Sequence, residues 1–230
     1  MSLAPCRSLC LLFLATTFVT AQEPTPRPDP GRFSEEIAAF HGKQPLARGG
    51  IVFTGSSSIR LWPNLQLDFL GLPVVNRGFG GSVTNDLIAY FDAVVARHRP
   101  KLLVAYTGEN DLAMVGLSVR EVLEDYQSFC RLVRERLPTT RVIIVSIKPS
   151  PSRANKIPQI RELNDILAKW AVDEDWLRFV DCSSGLVGED QVPELRYFED
   201  DLIHLNASGY TVWKSALEPA VREEWAEANK

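Results

Sequence analysis

Short apolar runs alternate with amphipathic stretches from residue 51 to the end of the chain. Residues 51–54, 74–76, 102–106, 142–147 and 177–180 read as strands. The third and fourth are apolar along their whole length, as strands covered on both faces are. Helical patterns fall around and between them. Phe33, Ile37 and Phe40 share one face of residues 32–41. Ser118 and Glu121 form a capping box, and Val122, Tyr126, Phe129, Val133 and Leu137 continue a single stripe. Ile160, Leu163, Leu167 and Trp170 mark another helix, and Asn206 caps a last one carrying Trp213, Leu217 and Val221. Strand–helix alternation with five strands predicts a three-layer αβα sandwich around a doubly wound parallel sheet, flavodoxin-like in class. In such sheets the ligand crevice opens at the carboxyl ends of the strands.

The first residues break this pattern. Arg7 precedes an apolar stretch from Leu9 to Val19, and Val19, Thr20 and Ala21 make a small-residue cleavage site. Residues 1–21 therefore read as a signal peptide, too short in its apolar core for a spanning helix. Residues 22–31 are rich in proline and read as an extended linker. Residues 32–230 form one domain, with no internal repeat and no second domain. The expected location is secreted or periplasmic, with no stable membrane insertion after cleavage.

Composition narrows the function classes. The chain has 230 residues, 45% of them hydrophobic, enough to build one full core. The formal net charge of −4 offers no basic footprint, so nucleic acid is not an expected partner. Cleavage leaves Cys130 and Cys182, too few for a disulfide framework, and the favoured reading is two small buried residues. No cysteine–histidine spacing points to zinc, and no metal or organic cofactor is expected.

Candidate chemistry sits at strand ends. Gly55, Ser56, Ser57 and Ser58 follow the first strand as a glycine turn carrying serines. Asp201 precedes His204 by three residues. A serine hydroxyl needs a base to accept its proton, and histidine suits that role near neutral pH. Of the three histidines, His41 and His98 lie in polar or charged surroundings and read as solvated surface residues, whereas His204 has a carboxylate that a tight loop can fold back. Asp200 is the rival orienter. Gly80 and Gly81 can be turn glycines, Asn110 a turn or cap residue, and Glu109 and Asp111 are adjacent carboxylates that need not point together. Asp111 is held as structural. Asn206, Ala207 and Ser208 match a glycosylation sequon, but the helix-cap reading of Asn206 is favoured.

Four segments in order carry a resemblance: Gly55–Ser57, then Asn76 to Ser82, then Gly108 to Asp111, then Asp201 to His204. Together they resemble the SGNH (GDSL-type) hydrolase superfamily, over about residues 50–215. The resemblance implies Ser57 as nucleophile, His204 as base and Asp201 as its orienter. It implies an oxyanion hole made of the Ser57 and Gly81 backbone N–H groups and the Asn110 side-chain amide. Ser56 stands where the family usually has aspartate, a change expected to alter support of the turn. With three consecutive serines, Ser57 is chosen because it keeps the family's spacing from Gly55.

These readings predict a secreted carboxylic-ester hydrolase working through a Ser57 acyl-enzyme. Its expected partner is a small-molecule or carbohydrate ester, with short acyl or acetyl groups first. Leu61, Trp62, Leu65, Leu67, Phe69 and Leu70 could line an acyl pocket, although core packing is the safer expectation. The alternatives are a lysophospholipase or thioesterase of the same fold, an O-acetyltransferase, and a non-catalytic carbohydrate-binding domain.

Overall fold

Five apolar runs pair side by side into one parallel sheet in the computed structural model, which describes residues 23–43 and 48–230. The strands are β1 (Ile51–Gly55), β2 (Val74–Gly78), β3 (Leu102–Tyr106), β4 (Arg141–Val145) and β5 (Leu177–Val180), in the order β2-β1-β3-β4-β5. The register sets Ile51 beside both Val74 and Leu102, and Leu102 beside Arg141. This is the doubly wound, flavodoxin-like arrangement that the alternation predicts. The order reverses between β1 and β3, so the crevice lies where their carboxyl ends part. The signal-peptide reading of residues 1–21 lies outside the described residues, as does the side chain of His41.

The helices are α1 (Ser34–Lys43), α2 (Ser57–Arg60), α3 (Leu65–Asp68), α4 (Thr84–Ala89), α5 (Phe91–Val94), α6 (Val119–Arg136), α7 (Ile157–Val172) and α8 (Ala207–Glu227). They cover both faces of the sheet. Val52, Leu103, Ala105, Val142 and Ile144 pack with Phe33 and Ile37, with Leu87 and Phe91, and with the buried stripes of α6 and α7. Ile51, Phe53, Leu102, Val104 and Ile143 point the other way, against Ile59, Trp62, Phe69 and the Trp213, Leu217, Val221 face of α8. The period-2 alternation of each strand thus feeds two cores, which is why β3 has no polar position.

Local chemistry sets the helix ends. Ser118 accepts from the Glu121 N–H at 3.3 Å while Glu121 accepts from the Ser118 N–H at 2.9 Å, closing the capping box. Asn206 Oδ1 accepts from Ser208 and Gly209 N–H at 2.9 and 3.1 Å, starting α8. Its Nδ2 donates to the carbonyls of Arg196 and Phe198. Both ends of the amide are therefore used inside the fold. Cys130 and Cys182 are buried free thiols, and burial raises both, Cys130 to about 12.

Some side chains sit elsewhere than their sequence neighbours suggest. The proline-rich stretch is held against α6: the Thr25 N–H donates to Glu121 at 2.8 Å and Arg27 Nε to Asp125 at 3.0 Å. His98 is not a solvated surface residue but is fully buried. A short 3-10 turn, Ala96–His98, precedes Arg99 in the left-handed region. His98 Nε2 accepts from Arg77 Nε at 2.9 Å. Burial, with the Arg77 and Arg97 charges, lowers its pKa to about 4, so it is neutral at pH 7. The apolar run after Ser57 also splits. Trp62, Leu65 and Phe69 join the core, while Leu61, Leu67 and Leu70 face outward. Among the described residues, no helix is long and apolar enough to cross a membrane.

Candidate active site

β1 runs straight into the turn that presents Ser57. Gly55 has φ of +135°, and a Cβ there would lie 1.8 Å from the Tyr106 carbonyl oxygen, so only glycine fits between β1 and β3. The Ser56 N–H then donates to that same carbonyl at 3.1 Å. Ser56 is the N-cap of α2 but makes no side-chain cap bond; the turn is held instead from other elements, with Asn76 Nδ2 donating to the Ile59 carbonyl at 2.6 Å. Ser57 is the first residue of α2. Ser58 is buried and does not line the cavity that Ser57 lines, and its carbonyl accepts from the Tyr210 hydroxyl at 2.9 Å.

His204 arrives on a loop that its own sequence folds. Asp201 Oδ1 accepts from the Ile203 N–H at 2.8 Å and the His204 N–H at 2.9 Å, an Asx-type turn. The other oxygen, Oδ2, lies 2.5 Å from His204 Nδ1. Leu202 between them takes φ of +58°, unusual for a branched side chain. Burial works against the Asp201 carboxylate, but the two backbone N–H groups and the imidazole outweigh it and hold its pKa down to about 2. His204 Nε2 lies 2.9 Å from Ser57 Oγ. Asp200 is exposed and makes no such contact. An ionised carboxylate on Nδ1 leaves Nε2 as the acceptor facing the serine, the arrangement that activates a hydroxyl.

Gly81 and Asn110 flank the same serine. Gly81 has φ of +76° in the turn after β2, and no atom lies within 4 Å of where its Cβ would be, so its place is set by backbone conformation. Asn110 follows β3 and is 5% exposed. Its Nδ2 donates to the Ser82 carbonyl at 3.0 Å, and its Oδ1 accepts from Arg153 Nη1 at 3.1 Å. One Asn110 N–H is spent on Ser82, so the second is open. Ser57, Gly81, Asn110 and His204 line one cavity of about 360 Å³, with Glu36, Arg60, Met114, Arg153 and Ile203. None of the apolar residues after Ser57 lines it, so they form no acyl pocket there. A larger cavity of about 500 Å³ near Asn164 and Asp181 includes none of the candidate residues, and chemistry rather than size identifies the site.

The adjacent carboxylates diverge, as their spacing allowed. Asp111 accepts from the Thr84 N–H at 2.9 Å and the Gly108 N–H at 3.1 Å, tying the loop after β3 to α4. It is fully buried, and this desolvation raises its pKa to about 6 against those hydrogen bonds. Glu109 instead meets Lys148 Nζ at 2.6 Å, Ser150 Oγ at 2.5 Å and Arg153 Nη1 at 3.1 Å. Burial would raise its pKa, but Lys148 and Arg153 prevail and hold it below the usual range. Sequence reasoning missed Lys148, Ser150 and Arg153. The available signal was position: they follow β4 at its carboxyl end, on the crevice side. Among the described residues, no group of three or more His, Cys, Asp or Glu side chains is placed to hold a metal ion.

Known proteins share this fold and sequence pattern. The family model described as "GDSL-like Lipase/Acylhydrolase family" matches residues 47–212. Human platelet-activating factor acetylhydrolase IB subunit alpha1 is 26% identical over 199 residues, covering 83% of this chain and 84% of that protein. A GDSL-like lipase of Bacteroides thetaiotaomicron superposes with a TM-score of 0.68 at 23% identity, over 85% of this chain and 98% of its own. A carbohydrate esterase family 3 protein of Talaromyces cellulolyticus superposes with a TM-score of 0.62 at 16% identity, over 77% and 98%. At those identities the two structures speak to the fold alone.

Proposed function

The chain belongs to the GDSL-like lipase/acylhydrolase family, and from that membership we propose a secreted serine esterase that cleaves short acyl esters through an acyl-enzyme on Ser57. The observation that carries this reading is the line from Asp201 through His204 to Ser57, with contacts of 2.5 and 2.9 Å, at the edge of a cavity that also holds Gly81 and Asn110.

The reaction follows from that geometry. Ser57 Oγ attacks the ester carbonyl while His204 Nε2 takes its proton. Asp201 keeps the other ring nitrogen protonated and stabilises the imidazolium. Negative charge collects on the former carbonyl oxygen, where the Ser57 and Gly81 backbone N–H groups and the open Asn110 N–H can receive it. The tetrahedral intermediate collapses, His204 returns the proton to the leaving alcohol, and the acyl group stays on Ser57. Water, deprotonated by His204, then attacks the acyl-enzyme; the bond between the acyl carbon and Ser57 Oγ breaks, His204 returns the proton to Oγ, and the acid leaves.

The cavity is lined mainly by polar side chains and glycines, with Met114 and Ile203 as its apolar residues, a wall that favours a small acyl group over a long chain. The acetylhydrolase name of the human relative points the same way. The leader-like residues 1–21 support export.

A series of p-nitrophenyl esters of increasing chain length, run beside acetylated oligosaccharides, tests the reading. Turnover highest for acetate or propionate and lost on Ser57→Ala is expected. A rising preference for long chains would replace it with a lipase or lysophospholipase. Acyl transfer to an added sugar outpacing release of free acid would make it a transferase.

A further inference from the structure

Glu109 is buried at the end of β3 between two cations, and the acyl transfer described above uses none of the three. With all three ionised, the cluster carries one positive charge in excess. Lys148 is sealed inside, at 0% side-chain exposure, while Arg153 keeps 14% and reaches the cavity wall beside Ser57. The nitrogen that meets Glu109 also donates to Asn110 Oδ1, both at 3.1 Å. The segment carrying Arg153 is tied to the His204 loop, because the Ser152 N–H donates to the Leu202 carbonyl at 3.1 Å. Arg153 is therefore fixed relative to both sides of the site.

The Asn110 amide is held at two points. Its oxygen faces the Arg153 cation, and one N–H is on the Ser82 carbonyl at 3.0 Å. A cation on the oxygen draws electrons from the amide nitrogen and makes the remaining N–H a stronger donor. A charged donor at that oxygen also opposes the flipped amide, which would turn NH2 toward the guanidinium.

We propose that Arg153, anchored by buried Glu109, is a positioning residue that orients and polarises the Asn110 amide toward the oxyanion. This rests on the reading of Asn110 as an oxyanion donor. The effect belongs to the transition state, where charge on the oxygen is greatest, so it falls on kcat.

A double-mutant cycle on the purified enzyme with neutral p-nitrophenyl acetate tests it, with Arg153→Met, Arg153→Lys, Asn110→Ala and the combined variants, each checked by thermal melting. Arg153→Met should lower kcat roughly tenfold, the scale of one hydrogen bond to a charged group, and leave KM nearly unchanged. Arg153→Lys should recover part of the loss. In the Asn110→Ala background, Arg153→Met should cost no more than about twofold. An equal loss in both backgrounds would overturn the proposal, since Arg153 would then act independently of Asn110. So would a raised KM with unchanged kcat, or a loss confined to an anionic ester such as p-nitrophenyl hemisuccinate, either of which makes Arg153 a substrate-binding group. If Arg153→Met does not fold, the Arg153→Lys cycle carries the same test, with a smaller loss that vanishes without the amide. Failure of the underlying reading shows separately: Asn110→Ala would then leave kcat intact before Arg153 is touched.

Discussion

His204 Nε2 rests 2.9 Å from Ser57 Oγ although 147 positions separate the two residues. The serine is held by the end of β1 and the histidine by a loop leading into α8, so their meeting depends on α8 docking beside α2. The Tyr210 hydroxyl, bonded to the Ser58 carbonyl at 2.9 Å, is one link in that docking.

Ser57→Ala should abolish ester hydrolysis and labelling by a fluorophosphonate probe with little change in melting temperature. Ser56→Ala and Ser58→Ala should both still be labelled, because neither side chain is paired with His204. Mapping the labelled peptide decides it, and a label on Ser56 or Ser58 in the Ser57 variant would reassign the nucleophile.

Asp201→Asn should reduce kcat on the order of 10³- to 10⁴-fold, by disturbing the tautomer and orientation of His204. Asp200→Asn should be nearly silent. The folded Asp201 pKa of about 2 lies below the ordinary 3.8. Its carboxylate therefore supports the loop above about pH 4 and is lost only as pH falls toward 2. The wild-type acid limb of kcat/KM should accordingly follow uptake of one proton, with no second ionisation near pH 4. A limb of slope two in that range would show that Asp201 titrates with the site.

Asp111→Asn should destabilise the fold by about 1–3 kcal/mol at neutral pH, because the amide can accept from only one of the two N–H groups at Thr84 and Gly108. The pH dependence has a definite sign. The folded pKa of about 6 lies above the reference 3.8, so the folded state holds this proton more tightly. Its contribution to stability is present below about 3.8 and lost as pH rises through 6. The gap in stability between wild type and Asp111→Asn should therefore widen on acidification from pH 7 to pH 4. Denaturant melts at both values measure it, and a constant gap would mean that Asp111 is ionised throughout.

Asn206→Ala should cost about 0.5–2 kcal/mol through loss of the α8 cap. Because Nδ2 is bonded to two carbonyls, the sequon at Asn206 should stay free of glycan when the chain is expressed through a glycosylating secretory route. Intact mass before and after glycosidase treatment checks this, and a mass loss mapping to Asn206 would refute it.

Much of the frame was legible in the sequence because it is encoded locally. Continuous apolar runs mark strands buried on two faces, and β3 and β5 fall on their expected residues. The Ser118 box, the Asn206 cap and the Asp201 turn each join residues two or three positions apart, so short-range chemistry specifies them. Gly55 was legible as a turn, but the reason it must be glycine, the Tyr106 carbonyl, comes from a neighbouring strand.

The tertiary structure decided what depends on which strand ends are neighbours. His98 reads as exposed, and the sequence names no partner for the charges of Glu109 and Lys148, until the fold supplies one for each. A charge can be buried only where an opposite charge or enough hydrogen bonds compensate its desolvation, and those partners lie on other elements. Arg153 belongs to the same class: its role depends on β4 lying beside β3, which sets it against Glu109 and Asn110. Residue type and spacing determined the elements, and with the family resemblance the chemical candidates, whereas strand order determined which of them touch, because contact between distant segments is set by packing and not by local propensity.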